Sequence, residues 1–195
     1  MAYPHSFHFL YPGLGYGGSC LPKDVSALIQ LGKMQSSPLP MIEAIDETNR
    51  KQKEKFLQKI VDHFGSPNHL KDKNIAMWGL AFKPETDDIR EAPALFLIEN
   101  LLKHGAKIRA FDPVAMENVR NIFGNKIQFP SGNYDCLEGA DCLIISTEWN
   151  EFRSPNFAKI KQLMKTPVLF DGRNLYSPSK MKEMGFDYIS IGRCQ

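Results

Sequence analysis

Ile75-Ala76-Met77-Trp78-Gly79-Leu80-Ala81-Phe82-Lys83-Pro84-Glu85-Thr86-Asp87-Asp88-Ile89-Arg90-Glu91-Ala92-Pro93 reads as a strand, a turn and the start of a helix. Four apolar residues bounded by a glycine are the length of a buried strand. Gly79 lets the backbone turn, and Pro93 suits a first helical turn. The same texture continues downstream. It predicts a helix over 93–103 ending near Gly105, a strand over 107–111, a helix over 116–123 and a strand over 127–129. A short helix over 133–138 and an apolar strand over 142–146 come next. A helix over 155–164, a strand over 168–170, a helix around 179–184 and a strand over 188–191 complete the series. Strands alternating with helices predict an α/β fold with a mainly parallel sheet covered on both faces. Ligands of such sheets bind outside the carboxyl ends of the strands, which is where residues 79–93 fall. Phe82 offers a flat face for a base or sugar, Lys83 and Arg90 offer cations for phosphates, and Thr86 can cap the residues after it. The loop is not Gly-x-Gly-x-x-Gly, so alone it argues weakly for a dinucleotide. A capped loop with solvated charges is the plainer reading.

Upstream the pattern is helical. Residues 25–34 fit a short amphipathic helix, broken by Ser36-Ser37-Pro38-Leu39-Pro40. A longer helix is predicted over 41–64, with Ile42, Ile45, Asn49, Gln52, Phe56, Ile60 and Phe64 at three- and four-residue steps, and Gly65 as its stop. So wide an apolar face needs a partner, either the chain's own core or a second subunit. Ahead of these helices lies Gly13-Leu14-Gly15-Tyr16-Gly17-Gly18-Ser19-Cys20-Leu21-Pro22-Lys23-Asp24. The glycines permit close approach of a ligand to the backbone. Asp24 precedes the apolar run and is a candidate N-cap. Cys20 therefore sits on an open loop just ahead of a helix start, beside a cation and a carboxylate, a setting that favours the nucleophilic thiolate. A small buried hydrophobe is the alternative for any single cysteine.

Composition narrows the classes. The chain has 195 residues, is 43% hydrophobic and carries a formal net charge of +2. It is long enough for one domain and a smaller appendage, and the near-neutral charge gives no support for nucleic acid or an anionic membrane as partner. No apolar run approaches the ~20 residues that span a bilayer, and Met1-Ala2-Tyr3-Pro4-His5 lacks the regions of a signal peptide. Cys20, Cys136, Cys142 and Cys194 show no paired spacing and read as reduced thiols of a cytoplasmic protein. His5 and His8 lie near Cys20 without a second ligand cluster, so no metal site is expected.

The run Phe9 to Asp24 resembles the catalytic-cysteine segment of the UDP-glucose/GDP-mannose dehydrogenase family, and most closely that of its bacterial UDP-glucose-specific members. Three further segments are similar in family order: the block 79–93, the strand ending in Thr147-Glu148-Trp149, and the turn Asp171-Gly172-Arg173. Together the resemblance covers essentially residues 8–195. It implies a Rossmann-like, mainly parallel α/β domain for UDP-sugar binding over 71–195, preceded by a helical central segment over 1–70. The central helix of the family forms a dimer interface, which makes a homodimer the expectation. The implied reaction is oxidation of the C6 hydroxyl of a UDP-sugar to a carboxylate with two NAD, through a cysteine thioester. On this chain Cys20 would be the nucleophile, and Asp24 would activate water and tune the thiol. Tyr11, Leu14, Gly15, Tyr16, Gly17, Ser19, Phe82, Lys83 and Arg173 would line the nucleotide-sugar site. Lys23 and Arg90 would meet NAD.

The chain also departs from the family pattern. The N-terminal dinucleotide-binding domain of the family is not found in it, nor are the lysine, asparagine, threonine and glutamate that serve the sugar upstream. Where the family carries an arginine reaching the partner's site, this chain has Pro4. The expectation is a C-terminal portion that does not dehydrogenate alone, because hydride transfer needs a held nicotinamide. The alternatives are a portion of a UDP-N-acetylhexosamine or GDP-mannose dehydrogenase, or a nucleotide-sugar-binding or oligomerisation module without catalysis.

Overall fold

A computed structural model describes residues 11–193. Its centre is a five-stranded sheet of β1 (Asn74–Trp78), β2 (Lys107–Phe111), β3 (Cys142–Ile145), β4 (Val168–Asp171) and β5 (Asp187–Ser190). The spatial order is β2-β1-β3-β4-β5, and every pairing is parallel. The helices are α1 (Leu21–Met34), α2 (Pro40–Phe64), α3 (Pro93–Lys103), α4 (Met116–Phe123), α5 (Asn150–Arg153), α6 (Phe157–Leu163) and α7 (Pro178–Glu183).

The central strands β1, β3 and β4 read as largely apolar runs because both faces of the sheet are covered there. Successive side chains point to opposite faces. Ile75, Met77, Ile144 and Phe170 join one core cluster with Phe56 and Ile60 of α2 and Leu97, Ile98 and Leu101 of α3. Ala76, Trp78, Leu143, Ile145 and Leu169 enter the other, with Phe152, Ile160 and Met181. Trp78 stacks on Phe152 at 5.0 Å between ring centroids, and this anchors α5 beside the end of β1.

Four local expectations change. The first helix begins at Leu21, not residue 25, with Cys20 as its N-cap and Pro22 in its first turn. Asp24 is therefore an acidic residue inside that turn, where it faces the positive helix end, and not the cap. The strand expected over 127–129 is reduced to a single parallel bridge between Arg109 and Gln128. A 3₁₀ turn (Gly124–Lys126) uses up the segment before it, and Pro130 has no N–H with which to extend the ladder. The helix expected over 133–138 is one 3₁₀ turn (Asp135–Leu137), closed by Gly139 at φ 66°. The helix expected over 155–164 starts at Phe157, because the Asn156 side chain accepts from Lys159 N–H at 3.0 Å and caps it there.

The long helix answers the partner question in halves. Phe56, Ile60 and Val61, in its C-terminal half, are buried in the chain's own core. In the N-terminal half Met41 is 76% exposed and Ile45 43%. Leu28, Leu31 and Met34 of α1 are exposed as well. No described helix is long and apolar enough to cross a membrane.

Candidate active site

Three chain segments leave the carboxyl edge of the sheet side by side, after β1, β3 and β4. Buried carboxylates fix them. Asp171, at the end of β4, accepts from Arg173 N–H at 2.9 Å, Leu175 N–H at 2.7 Å and the Tyr188 hydroxyl at 2.7 Å. These bonds shape the Asp-Gly-Arg turn that carries Arg173. Burial pushes the Asp171 carboxyl above its ordinary range, against the pull of those donors. Gly79 turns at φ 89°, and a Cβ there would lie 2.5 Å from Thr147 Cβ, so the exits of β1 and β3 touch. The order β2-β1-β3 places β1 and β3 at the point where the strand order reverses, the usual crevice of an open parallel sheet.

The glycine-rich segment is threaded over this edge. On one side α2 clamps it. Tyr16 N–H donates to Asn49 Oδ1 at 2.8 Å, Asn49 Nδ2 to Tyr16 O at 3.1 Å, and Gln52 Nε2 to Gly13 O at 2.7 Å. On the other side Gly18 N–H donates to Arg90 O at 2.8 Å. Leu14 is fully buried and plugs against the β4 turn, where a Cβ on Gly172 would meet Leu14 Cγ at 2.5 Å. A Cβ on Gly17 would lie 2.4 Å from the Glu91 carbonyl oxygen. That glycine is required by the protein's own backbone, not by a ligand. The positions Gly13, Gly15 and Gly18 have the Gly-x-Gly-x-x-Gly spacing. No strand enters the loop among the described residues, so the context of a dinucleotide turn is missing.

The threaded segment separates two cavities. The larger, about 1280 Å³, is lined among others by Tyr11, Tyr16, Phe82, Lys83, Glu148 and Arg173. The smaller, about 770 Å³, is lined among others by Ser19, Lys23, Arg50, Lys53 and Arg90. Ser19 and Pro22 face the smaller cavity and Leu21 the larger. Cys20, exposed at the N-terminus of α1, lines neither cavity itself; it lies between neighbours that open to each, on the ridge of chain that parts them.

Of the residues expected at the nucleotide-sugar site, Tyr11, Gly15, Tyr16, Gly17, Phe82, Lys83 and Arg173 line one cavity. Leu14 does not line it. Its side chain is fully buried in the core cluster. Ser19 opens to the opposite side, with Lys23 and Arg90. Cys20 Sγ lies 3.6 Å from Ser19 Oγ, and Lys23 Nζ 3.6 Å from Asp24 Oδ1, both well exposed. Pro4, His5 and His8 lie outside the described residues, as does Cys194. Sequence reasoning missed Asn49 and Gln52, which stood in the helical stripe without a role. The usable signal was two polar side chains interrupting an apolar stripe. Glu148 and Arg153, which also line the larger cavity, were missed too.

The charges are mostly paired. Arg173 Nη2 donates to Glu148 Oε1 at 2.5 Å, while Glu148 Oε2 is buried without a partner. Arg90 grips Asp88 with Nε at 2.9 Å and Nη2 at 2.8 Å. That bond holds the Asp88 carboxyl below its ordinary range. The Lys83 ammonium sits 5.5 Å from the centroid of the Phe82 ring. Burial, then the nearby Asp46 carboxylate, raise the Tyr16 hydroxyl. Among the described residues no group of three or more His, Cys, Asp or Glu side chains could hold a metal ion.

Comparison with known proteins bears on this geometry. Residues 76–178 match the UDP-binding domain of the UDP-glucose/GDP-mannose dehydrogenase family, and residues 2–51 match its central domain. The chain belongs to that family. Among its relatives, the UDP-glucose 6-dehydrogenase of Pseudomonas aeruginosa is 46% identical over 191 residues, 95% of this chain and 42% of the relative. TuaD of Bacillus subtilis, also a UDP-glucose 6-dehydrogenase, is 42% identical over 185 residues, 95% of this chain and 40% of its own length. The chain thus spans about two-fifths of the length of these relatives. The UDP-glucose dehydrogenase structure from Pyrobaculum islandicum superposes with a TM-score of 0.77 at 29% identity, over 92% of this chain and 38% of that one. As expected, the fold is an α/β, Rossmann-like parallel sheet of this dehydrogenase family.

Proposed function

We propose that the chain forms the nucleotide-sugar side of an NAD-dependent UDP-glucose 6-dehydrogenase, with Cys20 as the covalent nucleophile. The observation that carries this reading is the place of Cys20 on the ridge between two cavities. One is lined by Phe82, Lys83 and Arg173, the other by Lys23 and Arg90. Residues 1–70 supply the cysteine loop and the central helices, and residues 71–195 the UDP-sugar domain.

The diphosphate of the ligand is met by Lys83 and Arg173, whose planar fork pairs with phosphate oxygens. Phe82 gives a flat apolar face, and Tyr11 and the backbone from Leu14 to Ser19 border the sugar. Lys23, Arg90 and the Ser19 face fit the edge of a dinucleotide in chemistry and sign. They form one wall and not a full cradle. Lys23, Arg90 and Ser19 would border NAD, which would supply the hydride-accepting chemistry, two equivalents for each sugar taken from alcohol to acid. The work of the chain's own groups is covalent. Cys20 Sγ adds to the C6 carbonyl carbon, forming a C–S bond as the carbonyl oxygen takes a proton. Asp24, one helical turn along, takes a proton from the water that cleaves the later thioester, which frees the thiol and the carboxylate.

The exposed apolar side chains of α1 and the first half of α2 fit a homodimer interface, and the free described thiols fit a reducing cytoplasm. The reading is tested by calorimetric titration of the chain with UDP-glucose, with UDP, a UDP-N-acetylhexosamine and GDP-mannose as comparisons. Binding of UDP-glucose that Arg173→Ala weakens supports it. A folded chain that prefers another of these ligands redirects the substrate assignment, and one that binds none overturns the site. Steady NADH production by the chain alone would refute the view that it holds only one wall of the NAD site.

A further inference from the structure

We propose that Asp112 is the positioning residue of the larger cavity, acting through Trp149 to hold Glu148 and Arg173 in place. The proposal rests on the nucleotide-sugar reading of that cavity. Asp112 directly follows β2, is fully buried and lines neither cavity. Its two oxygens accept five hydrogen bonds. Oδ1 takes Val114 N–H at 3.0 Å and Ala115 N–H at 2.9 Å. Oδ2 takes Leu80 N–H at 2.7 Å, Ala81 N–H at 3.3 Å and the Trp149 indole N–H at 3.1 Å.

Those donors belong to three different loops. Leu80 and Ala81 immediately precede Phe82 and Lys83, and Trp149 immediately follows Glu148. One carboxylate therefore joins the wall that carries Lys83 to the wall that carries Glu148, the partner of Arg173. The bond to Trp149 is the informative one. A bracket needed only for the fold could stop at the four backbone amides, which already satisfy the carboxylate. Glu148 needs an outside anchor, because one of its oxygens holds Arg173 and the other has no partner. The only side-chain bond made by its neighbour Trp149 among the described residues runs to Asp112. Asparagine cannot replace the aspartate, since its NH2 would face an N–H donor whichever way it turned.

Two variants of the full chain test this. Trp149→Phe removes the indole donor while keeping an aromatic ring, and Asp112→Asn disturbs the whole bracket. Affinity for UDP-glucose is measured by calorimetry in a cycle with Arg173→Ala. The order of the Arg173 side chain is read without ligand from 15N relaxation at its Nε–H, with thermal melting as a check on folding. Expected are an affinity about tenfold weaker in Trp149→Phe, the size of one bond to a charged group, and a mobile Arg173 Nε–H. In the Arg173→Ala background the same substitution should have no further effect, because its route runs through that arginine. An equal loss in both backgrounds, or an unchanged Arg173 signal in a folded Trp149→Phe chain, overturns the proposal. If the native chain binds no nucleotide sugar, the reading of the cavity fails separately. The relaxation result then decides the positioning alone: increased mobility upholds it and unchanged order overturns it.

Discussion

Replacing Gly17 by alanine separates two explanations of the glycine-rich segment. If Gly17 is there for a ligand, the substitution leaves the free protein intact and only binding suffers. If it is there for the backbone of Glu91, the free protein itself is strained. The added Cβ would stand 2.4 Å from Glu91 O, 2.9 Å from Glu91 C and 3.1 Å from Phe82 Cβ. Two of those atoms are main chain and cannot swing aside, so the segments must part by up to an ångström. Overpacking of this kind costs about 1–3 kcal/mol. Alanine returns about 0.4–1 kcal/mol by stiffening the unfolded chain, which leaves a net loss of about 1–2 kcal/mol. For a domain of this size that lowers Tm by roughly 3–6 °C. Gly139→Ala is the control, because Gly139 has φ 66° and no neighbouring heavy atom within 4 Å of an added Cβ. It pays only the left-handed backbone penalty of about 1–2 kcal/mol, with the same offset. The assay is thermal unfolding of the three proteins without ligand. A Gly17→Ala Tm within a degree of the native value, with Gly139→Ala lowered as expected, would refute the packing argument and return the glycine to the ligand.

Further outcomes are specific. Burial raises the Cys136 thiol to about 12 and that of Cys142 further, whereas Cys20 is exposed. Iodoacetamide at pH 8 should therefore label Cys20 in the native chain and the other two only after unfolding, as peptide mass mapping will show. Asp171 has a raised carboxyl in the folded state. Its ionisation therefore costs stability, lost as pH rises from the ordinary value of about 3.8 through the raised one. Urea melts of the native chain and Asp171→Asn should show the gap moving toward the native chain as pH falls across that window. Asn49→Ala removes both Tyr16 bonds, and hydrogen exchange at Tyr16 N–H should quicken at least tenfold while the amides of β3 stay unchanged. Ile45→Asp should convert any dimer to monomer in sedimentation velocity, and an unchanged dimer would exclude the α1–α2 face.

The sheet was legible because its central strands are apolar on both faces, so 75–78 and 142–145 could be read without alternation. The 127–129 strand was over-read for the same reason. Two β-prone residues around a polar one look alike whether they find a full ladder or a single bridge, and the Pro130 that stops them acts only through a missing donor. Residues sharing a motif were found, but the side on which each one faces was not. Ser19 and Leu21 flank Cys20 symmetrically in sequence and open to different cavities in space, because α1 starts between them. Asp112 carried no signal at all. A carboxylate at a strand end reads as a solvated charge until the donors from distant loops are placed around it.

On the proposed reading, that start of α1 is also what would let a single cysteine serve two ligands. A helix beginning at Leu21 leaves Cys20 outside the helical hydrogen-bond ladder as donor, yet its carbonyl already accepts from Asp24 N–H at 2.9 Å. The thiol is therefore held by a rigid element and uncovered by any other. Had α1 begun at residue 25, as the sequence pattern suggested, Cys20 would lie within a free loop and its distance to either cavity would vary. Because Gly18 is pinned to Arg90 O on one side and Tyr16 to Asn49 on the other, the ridge cannot tilt toward one cavity without breaking a bond to the other wall. Covalent chemistry on a sugar in one cavity, with a redox partner approaching from the other, needs a nucleophile fixed between them to within a fraction of an ångström. On the proposed reading it is the fixing of the ridge, more than the openness of its glycines, that would meet this requirement.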